Sequence, residues 1–283
     1  MSSAATFLDL TPEDVPAGLR LCRLIGWNQT ESDWRLLLAA PSVFRGARID
    51  GTIVGTAGAM VYGDQLAWVC MVLVDPAHRG QQLASQLVDQ VLNRLPADAL
   101  VGLDATPKGQ PVYERLGFRG GQTFARLEAT SPAGDLSPRP GVRALHEADL
   151  PQVLGRDREV FGADRERILR GALAVAPDSA WCISEGDMLV AYCFGRPGHD
   201  ADQIGPVVAR QTGQALDLVA SALWARPGRR VFLDAAARTA WRQGLEDIGF
   251  REQRGFTRMY RGGRSIVPPG EEQCHAIFGP EFG

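Results

Sequence analysis

Leu83, Leu87, Val91 and Leu95 recur at a spacing of four, which places them on one face of a helix running from Leu83 to about Arg94. Upstream, the pattern changes to runs of strand length at Val43–Asp50, Thr52–Tyr62 and Leu66–Val74, with a strong hairpin signal at Asp50-Gly51. A short strand near Phe7–Leu10 leads into Thr11-Pro12-Glu13, where Thr is suited to cap a helix and Pro to its first turn. Asn28–Ala40 reads as a second helix, Leu100–Asp104 as a short buried strand, and Pro111–Leu116 as a short helix stopped by Gly117. Phe118–Glu128 holds a closing strand. An antiparallel meander followed by a strand–helix–strand crossover predicts an α/β architecture, an α+β mixed sheet flanked by helices.

The same pattern occurs a second time. Leu10-Thr11-Pro12-Glu13-Asp14-Val15-Pro16 is matched by Leu145-His146-Glu147-Ala148-Asp149-Leu150-Pro151, the two Asp lying 135 residues apart. Ser42–Ala57, with its Asp50-Gly51 turn, is matched at the same offset by Trp181–Cys193, with Glu185-Gly186. Val101-Gly102-Leu103-Asp104-Ala105 corresponds to Val231-Phe232-Leu233-Asp234-Ala235, and Leu116-Gly117-Phe118 to Ile248-Gly249-Phe250. Collinear matches at nearly constant spacing predict a duplicated unit. Between the copies, Thr130–Gly141 carries Pro132, Pro138 and Pro140, a composition that reads as a linker. The expected division is residues 1–129, a linker at 130–141, and residues 142–283.

Composition narrows the function classes. The 283 residues include 30 Lys and Arg against 33 Asp and Glu, a net charge of −3, which argues against a nucleic-acid partner. Hydrophobic residues at 45% and charged residues at 22% are those of an ordinary globular chain. Apolar runs such as Ala67–Val74 are of strand length, so no membrane partner is expected, and no secretory signal is visible at Met1–Leu10. Cys22, Cys70, Cys182, Cys193 and Cys274 form no CxxC pair, and free, buried thiols in a cytoplasmic protein are the expectation. His78, His146, His199 and His275 show no HExxH spacing, so no metal site is expected.

The stretch from Val72 to Ser85 is the most informative for chemistry. A strand ends, a turn follows with Arg79 and Gly80, and a helix begins at once. Helix N-termini present unpaired N–H groups and a partial positive charge, so this turn is a natural cradle for a pyrophosphate. Neither GxxxxGK nor a GxGxxG following a strand occurs, which leaves nucleoside triphosphate and dinucleotide binding unsupported.

Val72-Leu73-Val74-Asp75-Pro76, followed by Arg79-Gly80-Gln81-Gln82-Leu83-Ala84, resembles the signature of the GCN5-related N-acetyltransferases (GNAT), an L-x-V-x-P strand end and then R-x-x-G-x-G/A opening a helix. The later Leu103-Asp104 and Tyr113-Glu114-Arg115-Leu116-Gly117-Phe118 resemble that family's second element. Two copies in tandem resemble a subgroup that includes relatives of the holothin acyltransferase of dithiolopyrrolone biosynthesis. One departure is Gln82, where the family usually has Gly; a non-Gly residue is expected to hold helical dihedrals there and still point its N–H at the phosphate.

The resemblance implies acetyl-CoA as co-substrate, held by Val72, Leu73, Val74, Arg79, Gly80, Gln81, Gln82, Leu83, Ala84 and Ser85. It implies direct attack of an amine, expected to be that of a small molecule, on a thioester polarised by backbone N–H groups. Tyr113 matches the family's proton-donor position, and Trp27-Asn28-Gln29 and Trp34 fall in a region that lines the acceptor pocket in the family. The base stays open between Asp64, Asp104 and a water chain. Turn chemistry accounts equally for Asp64, and capping for Asp104, whose counterpart Asp234 is kept by the repeat alone. Cys70 reads as a buried, inert thiol. The second copy lacks the cradle, with Gln211-Thr212-Gly213-Gln214 in its place, so only the first is expected to bind coenzyme. A non-catalytic acyl-CoA sensor and an acetyltransferase acting on protein N-termini or lysines are the alternatives, with a monomer or homodimer expected.

Overall fold

A computed structural model describes residues 4–132, 138–263 and 270–283; residues 133–137 of the expected linker lie outside the described residues, as do 1–3 and 264–269. The first half runs β1 (Thr6–Asp9), α1 (Val15–Ile25), α2 (Glu31–Ala39), β2 (Ser42–Ile49), β3 (Thr52–Tyr62), β4 (Leu66–Val74), α3 (Leu83–Leu92), β5 (Leu100–Ala105), α4 (Gln110–Arg115) and β6 (Arg119–Thr130). The second half repeats the order with β7 (Val142–Ala144), α5 (Leu150–Phe161), α6 (Glu166–Val175), β8 (Trp181–Glu185), β9 (Met188–Arg196), β10 (Asp202–Ala209), α7 (Thr212–Trp224), β11 (Arg230–Ala236), α8 (Thr239–Asp247) and β12 (Arg251–Arg261). A further strand, β13 (Cys274–Ala276), follows.

Local chemistry explains the boundaries. Asp50 and Gly51 both sit at positive φ, 48° and 78°, the conformation that lets a two-residue turn join β2 to β3 without splaying them. Helix α2 starts at Glu31, not at Asn28, because Thr30 and Asp33 form a capping box: the Thr30 hydroxyl accepts from Asp33 N and the Asp33 carboxylate accepts from Thr30 N.

All thirteen strands form one sheet in the order β1-β2-β3-β4-β5-β12-β6-β11-β13-β10-β9-β8-β7. The closing strands are exchanged. β12, from the second half, pairs with β5 of the first; β6, from the first, pairs with β11 of the second; and β6 and β12 pair with each other at the centre. On one face, α1, α2, α5 and α6 enclose a core shared by both halves, with Trp34, Phe44, Trp68, Tyr192, Phe278 and Phe282 in it. On the other, α3 packs over the first half and α7 with α8 over the second. None of the described helices is long and apolar enough to cross a membrane.

Two buried ion pairs, related by the internal repeat, fasten the exchanged strands. Arg258 on β12 donates through Nε and Nη2 to both carboxylate oxygens of Asp104 on β5, at 3.0 and 2.9 Å. Arg126 on β6 makes the same fork to Asp234 on β11, at 2.8 Å for each bond. Both Asp side chains are fully buried. Removing one partner of such a pair strands the other in low dielectric, at a cost of about 3–5 kcal/mol. Asp104→Ala is therefore expected to lower the unfolding free energy by about that amount, whereas the double variant Asp104→Leu/Arg258→Met loses less than either single change, as read from denaturant midpoints.

Candidate functional site

Strands β4 and β5 run parallel but pair only over Leu66–Trp68 and Leu100–Gly102; from Val69 onward they diverge and leave a notch. The edge of β4 that faces β5 therefore carries backbone groups outside any ladder between those two strands. At the same point β4 holds one extra residue against β3, with Thr56 opposite Leu73 and Gly58 opposite Cys70. Met71 takes up the bulge at φ 50°, and the Thr56 hydroxyl donates to its carbonyl at 2.8 Å. The insertion shifts the alternation of the strand. Trp68 and Cys70 face the shared core and so do Met71 and Leu73, while Val69, Val72 and Val74 face α3.

Past the bulge, the turn from Arg79 delivers the chain into α3. Gly80 has φ 81°, and a Cβ placed on it would meet nothing within 4 Å, so the surface above it is open. Helix α3 begins without a side-chain cap, which leaves the N–H groups of Leu83, Ala84 and Ser85 without intrahelical partners. Arg79 is exposed and has no ion-pair partner among the described residues. This open, electropositive terminus beside a notch is the geometry a pyrophosphate arm fits. One expectation is corrected here: Gln82 does not hold right-handed helical dihedrals but is left-handed, at φ 58° and ψ 16°. Glycine suits this position because of its backbone hand as well as its size.

The notch opens into a cavity of about 220 Å³. Val72 and Ala84 line it, as do Trp27, Asn28, Asp104 and Tyr113; Asp64 does not. Asp64 lies exposed in the β3–β4 turn, at the far end of β4 from the notch. Asp104 has both oxygens engaged by Arg258, and Asn28 is engaged too: its amide donates to Ala201 O at 2.8 Å and accepts from the N–H groups of Asp200 and Ala201. Asn28 thus ties the first half to the loop before β10. Trp34 is core, not cavity; it is 1% exposed, with its indole N–H on the Cys22 thiol.

Tyr113 projects from α4 with its ring against Gly109, where an added Cβ would come within 3.1 Å, and edge-on to Phe118 at 6.0 Å. Its hydroxyl makes no protein hydrogen bond among the described residues. Burial raises its pKa above that of an ordinary phenol, which keeps it protonated. Cys70 also lines the cavity, and burial pushes its thiol well above the usual range, which keeps it neutral and a poor nucleophile.

Several lining residues were not singled out from the sequence. Arg126, Arg254 and Phe256 come from the exchanged strands, and Pro280 and Glu281 from the segment after β13. That segment is anchored by Tyr62, whose hydroxyl donates to Phe282 O at 2.7 Å, and by Trp68, whose indole donates to Pro280 O at 2.9 Å. No short-range signal marks residues that reach the cavity from more than a hundred positions away.

The equivalent notch in the second half is filled. β10 and β11 pair over Asp202–Ile204 and Val231–Leu233, and where they would diverge β13 slots between them, Ala276 opposite both Val207 and Ala235.

Comparison with known proteins agrees with the duplication. A family model described as "Acetyltransferase (GNAT) family" matches residues 13–118, and one described as "Acetyltransferase (GNAT) domain" matches residues 153–276. The uncharacterized N-acetyltransferase YitH of Bacillus subtilis (strain 168) is 21% identical over 247 residues, 87% of each chain. A solved protein from Pyrococcus horikoshii superposes with a TM-score of 0.77 at 16% identity, covering 99% of this chain and 96% of that one. A tandem GNAT protein from the clavulanic acid biosynthesis pathway superposes with a TM-score of 0.63 at 14% identity, covering 93% of this chain and all of the other.

Gln82→Gly removes a left-handed side-chain penalty of about 1 kcal/mol. Coenzyme A affinity measured by calorimetry is expected to rise, by about fivefold at most, with the fold unchanged.

Proposed function

The chain belongs to the GNAT acetyltransferases, and from that premise we propose that it moves an acetyl group from acetyl-CoA to the amine of a small molecule, with the coenzyme held by the first half alone. The observation that carries the reading is the convergence on one cavity of the β4–β5 notch, the uncapped start of α3 and the Tyr113 hydroxyl. Residues 1–129 are proposed as the coenzyme-binding domain and 142–283 as a second domain whose filled notch leaves no room for a second coenzyme.

Acetyl-CoA supplies, when bound, an activated acetyl thioester. Arg79, Gly80 and the free N–H groups of Leu83–Ser85 would hold its pyrophosphate, with Gln81 and Gln82 shaping the turn and Val72–Val74 offering strand-edge hydrogen bonds. Backbone N–H groups at the Met71–Val72 bulge, outside the β4–β5 ladder, are suited to stabilise negative charge on a carbonyl oxygen; one such donor contributes about 3–4 kcal/mol to a transition state. Tyr113 would give its proton to the departing thiolate and regain one, through water, from the nitrogen of the attacking amine. Its raised pKa makes it a reservoir of that proton, not a charged group at neutral pH.

Trp27 presents a ring to the acceptor side, whereas Asn28 and Asp104 are better read as positioning residues, since their polar atoms are engaged. The small volume supports a small acceptor over a protein segment. A pure sensor would need no proton donor in the cavity, and Tyr113 supports turnover.

Thiol release from acetyl-CoA across an amine panel tests the reading. Tyr113→Phe is expected to lower kcat by about 10²-fold with little change in KM for acetyl-CoA. Because the phenol pKa is raised, the donor stays protonated through the alkaline range. The rate is thus expected to rise with pH as the amine loses its proton and then to level off, with no decline below about pH 10, the ordinary phenol value. Calorimetry with coenzyme A should give one site per chain, and two sites would contradict the proposed asymmetry.

A further inference from the structure

The cavity walls contain two charged side chains whose hydrogen-bonding capacity the protein leaves incomplete. Arg196 donates through Nη1 to Asp33 and through Nη2 to Glu281 Oε1, so a single guanidinium serves two buried carboxylates and one negative charge remains in excess. Glu281 is 1% exposed, lines the cavity, and its Oε2 has no hydrogen-bond partner among the described residues. Gln29, which lines the same cavity, has an unpartnered Oε1 among the described residues. Arg254 also lines the cavity; its Nε is buried without a partner, and it enters none of the ion pairs among the described residues.

The remaining charges balance. Arg126 forks onto Asp234 and Arg258 onto Asp104, each pair neutral in itself. What is left over is one negative charge at Glu281 and one positive charge at Arg254, both on the same cavity yet not paired with each other. A buried polar atom without a hydrogen-bond partner is costly, and a ligand that completes it offsets that cost. Orphaned acceptors at Glu281 and Gln29 suit an ammonium; an orphaned guanidinium suits a carboxylate or phosphate.

We propose that the acceptor is a small amine that also carries an anionic group, its ammonium held by Glu281 and Gln29 and its carboxylate or phosphate by Arg254. This deepens the acetyl-transfer reading and rests on it for the reaction, though not for the binding. The specificity elements come from both halves, since Gln29 lies between α1 and α2 while Arg254 lies on the exchanged β12 and Glu281 on the segment after β13. The second half, with its own notch closed, then serves as the wall that selects the acceptor.

Matched probes test it on the full chain: L-amino acids against their C-terminal amides, and phosphorylated against unphosphorylated amino alcohols and amino sugars. Thiol release from acetyl-CoA is one readout, and calorimetric titration of the protein loaded with coenzyme A is the other. In at least one series the anionic member is expected to show about tenfold or greater preference, as a charge-assisted contact implies, and the series that does so identifies carboxylate or phosphate. Arg254→Gln should erase the preference by raising KM for the anionic member, while Arg254→Lys keeps part of it. Equal handling of charged and neutral members by the wild type, or a preference that survives Arg254→Gln, overturns the inference. Turnover of neutral amines alone would leave acetyl transfer standing and this inference refuted. Absence of turnover with every amine would count against the reaction, and the titration would still decide the binding.

Discussion

Two forked ion pairs, Asp104 with Arg258 and Asp234 with Arg126, are the constraint on which the rest of the molecule depends. Each joins a strand of one half to the closing strand of the other. An exchanged strand gains no hydrogen bond over one that stays at home, because either arrangement completes a ladder. The forks add direction, since a buried guanidinium on the closing strand has its carboxylate only where the exchanged register places it. Phe124 and Trp68 stack on the Arg258 guanidinium, at 4.6 and 4.4 Å, and Phe232 lies 5.1 Å from that of Arg126, so each cation is held on its faces as well as its edge. Once β6 and β12 cross, two sheets become one, and side chains from both halves meet over the β4–β5 notch.

The two copies differ at the same place in their fold. The same divergence of parallel strands exists twice, open between β4 and β5 and occupied by β13 between β10 and β11. Filling the second notch also sets the path of the chain beyond it. The Ile277 N–H donates to Asp234 O at 3.0 Å, and from there the segment turns into the shared core, carrying Glu281 to the wall of the first half's cavity. Closing one cleft thereby furnishes the other.

Much of the fold was legible because it is written in short-range signals. Asp50-Gly51 marks its hairpin through backbone hand, the Leu83–Leu95 spacing marks a helix face, and Arg79-Gly80 marks the turn that opens α3. The repeat was legible through Asp104 and Asp234, and the bland reading of both as structural is the one their ion pairs support. Strand exchange was not legible, since β6 and β12 have the same alternation wherever they pair. Arg254 and Glu281 were hidden for the same reason: each looks like an ordinary charged residue until the topology brings it to the cavity that Gln29 also lines. Asp64 shows the converse, a carboxylate near the right strand in sequence but at its wrong end in space.

Backbone strain separates what packing secures from what a ligand must complete. Met71 and Gln82 are both left-handed without being glycine; Met71 lines the cavity and Gln82 directly precedes α3. Met71 is 1% exposed, enclosed by the core and fixed by the Thr56 hydroxyl on its carbonyl, so neighbouring structure over-determines its conformation and the bulge persists without a ligand. Gln82 is exposed and makes no side-chain cap, so little but the turn itself holds it. Strain of this kind is uncompensated by packing. The bulge at Met71 is thus built in, and the turn at Gln82 is the part whose conformation a bound ligand would help to stabilise.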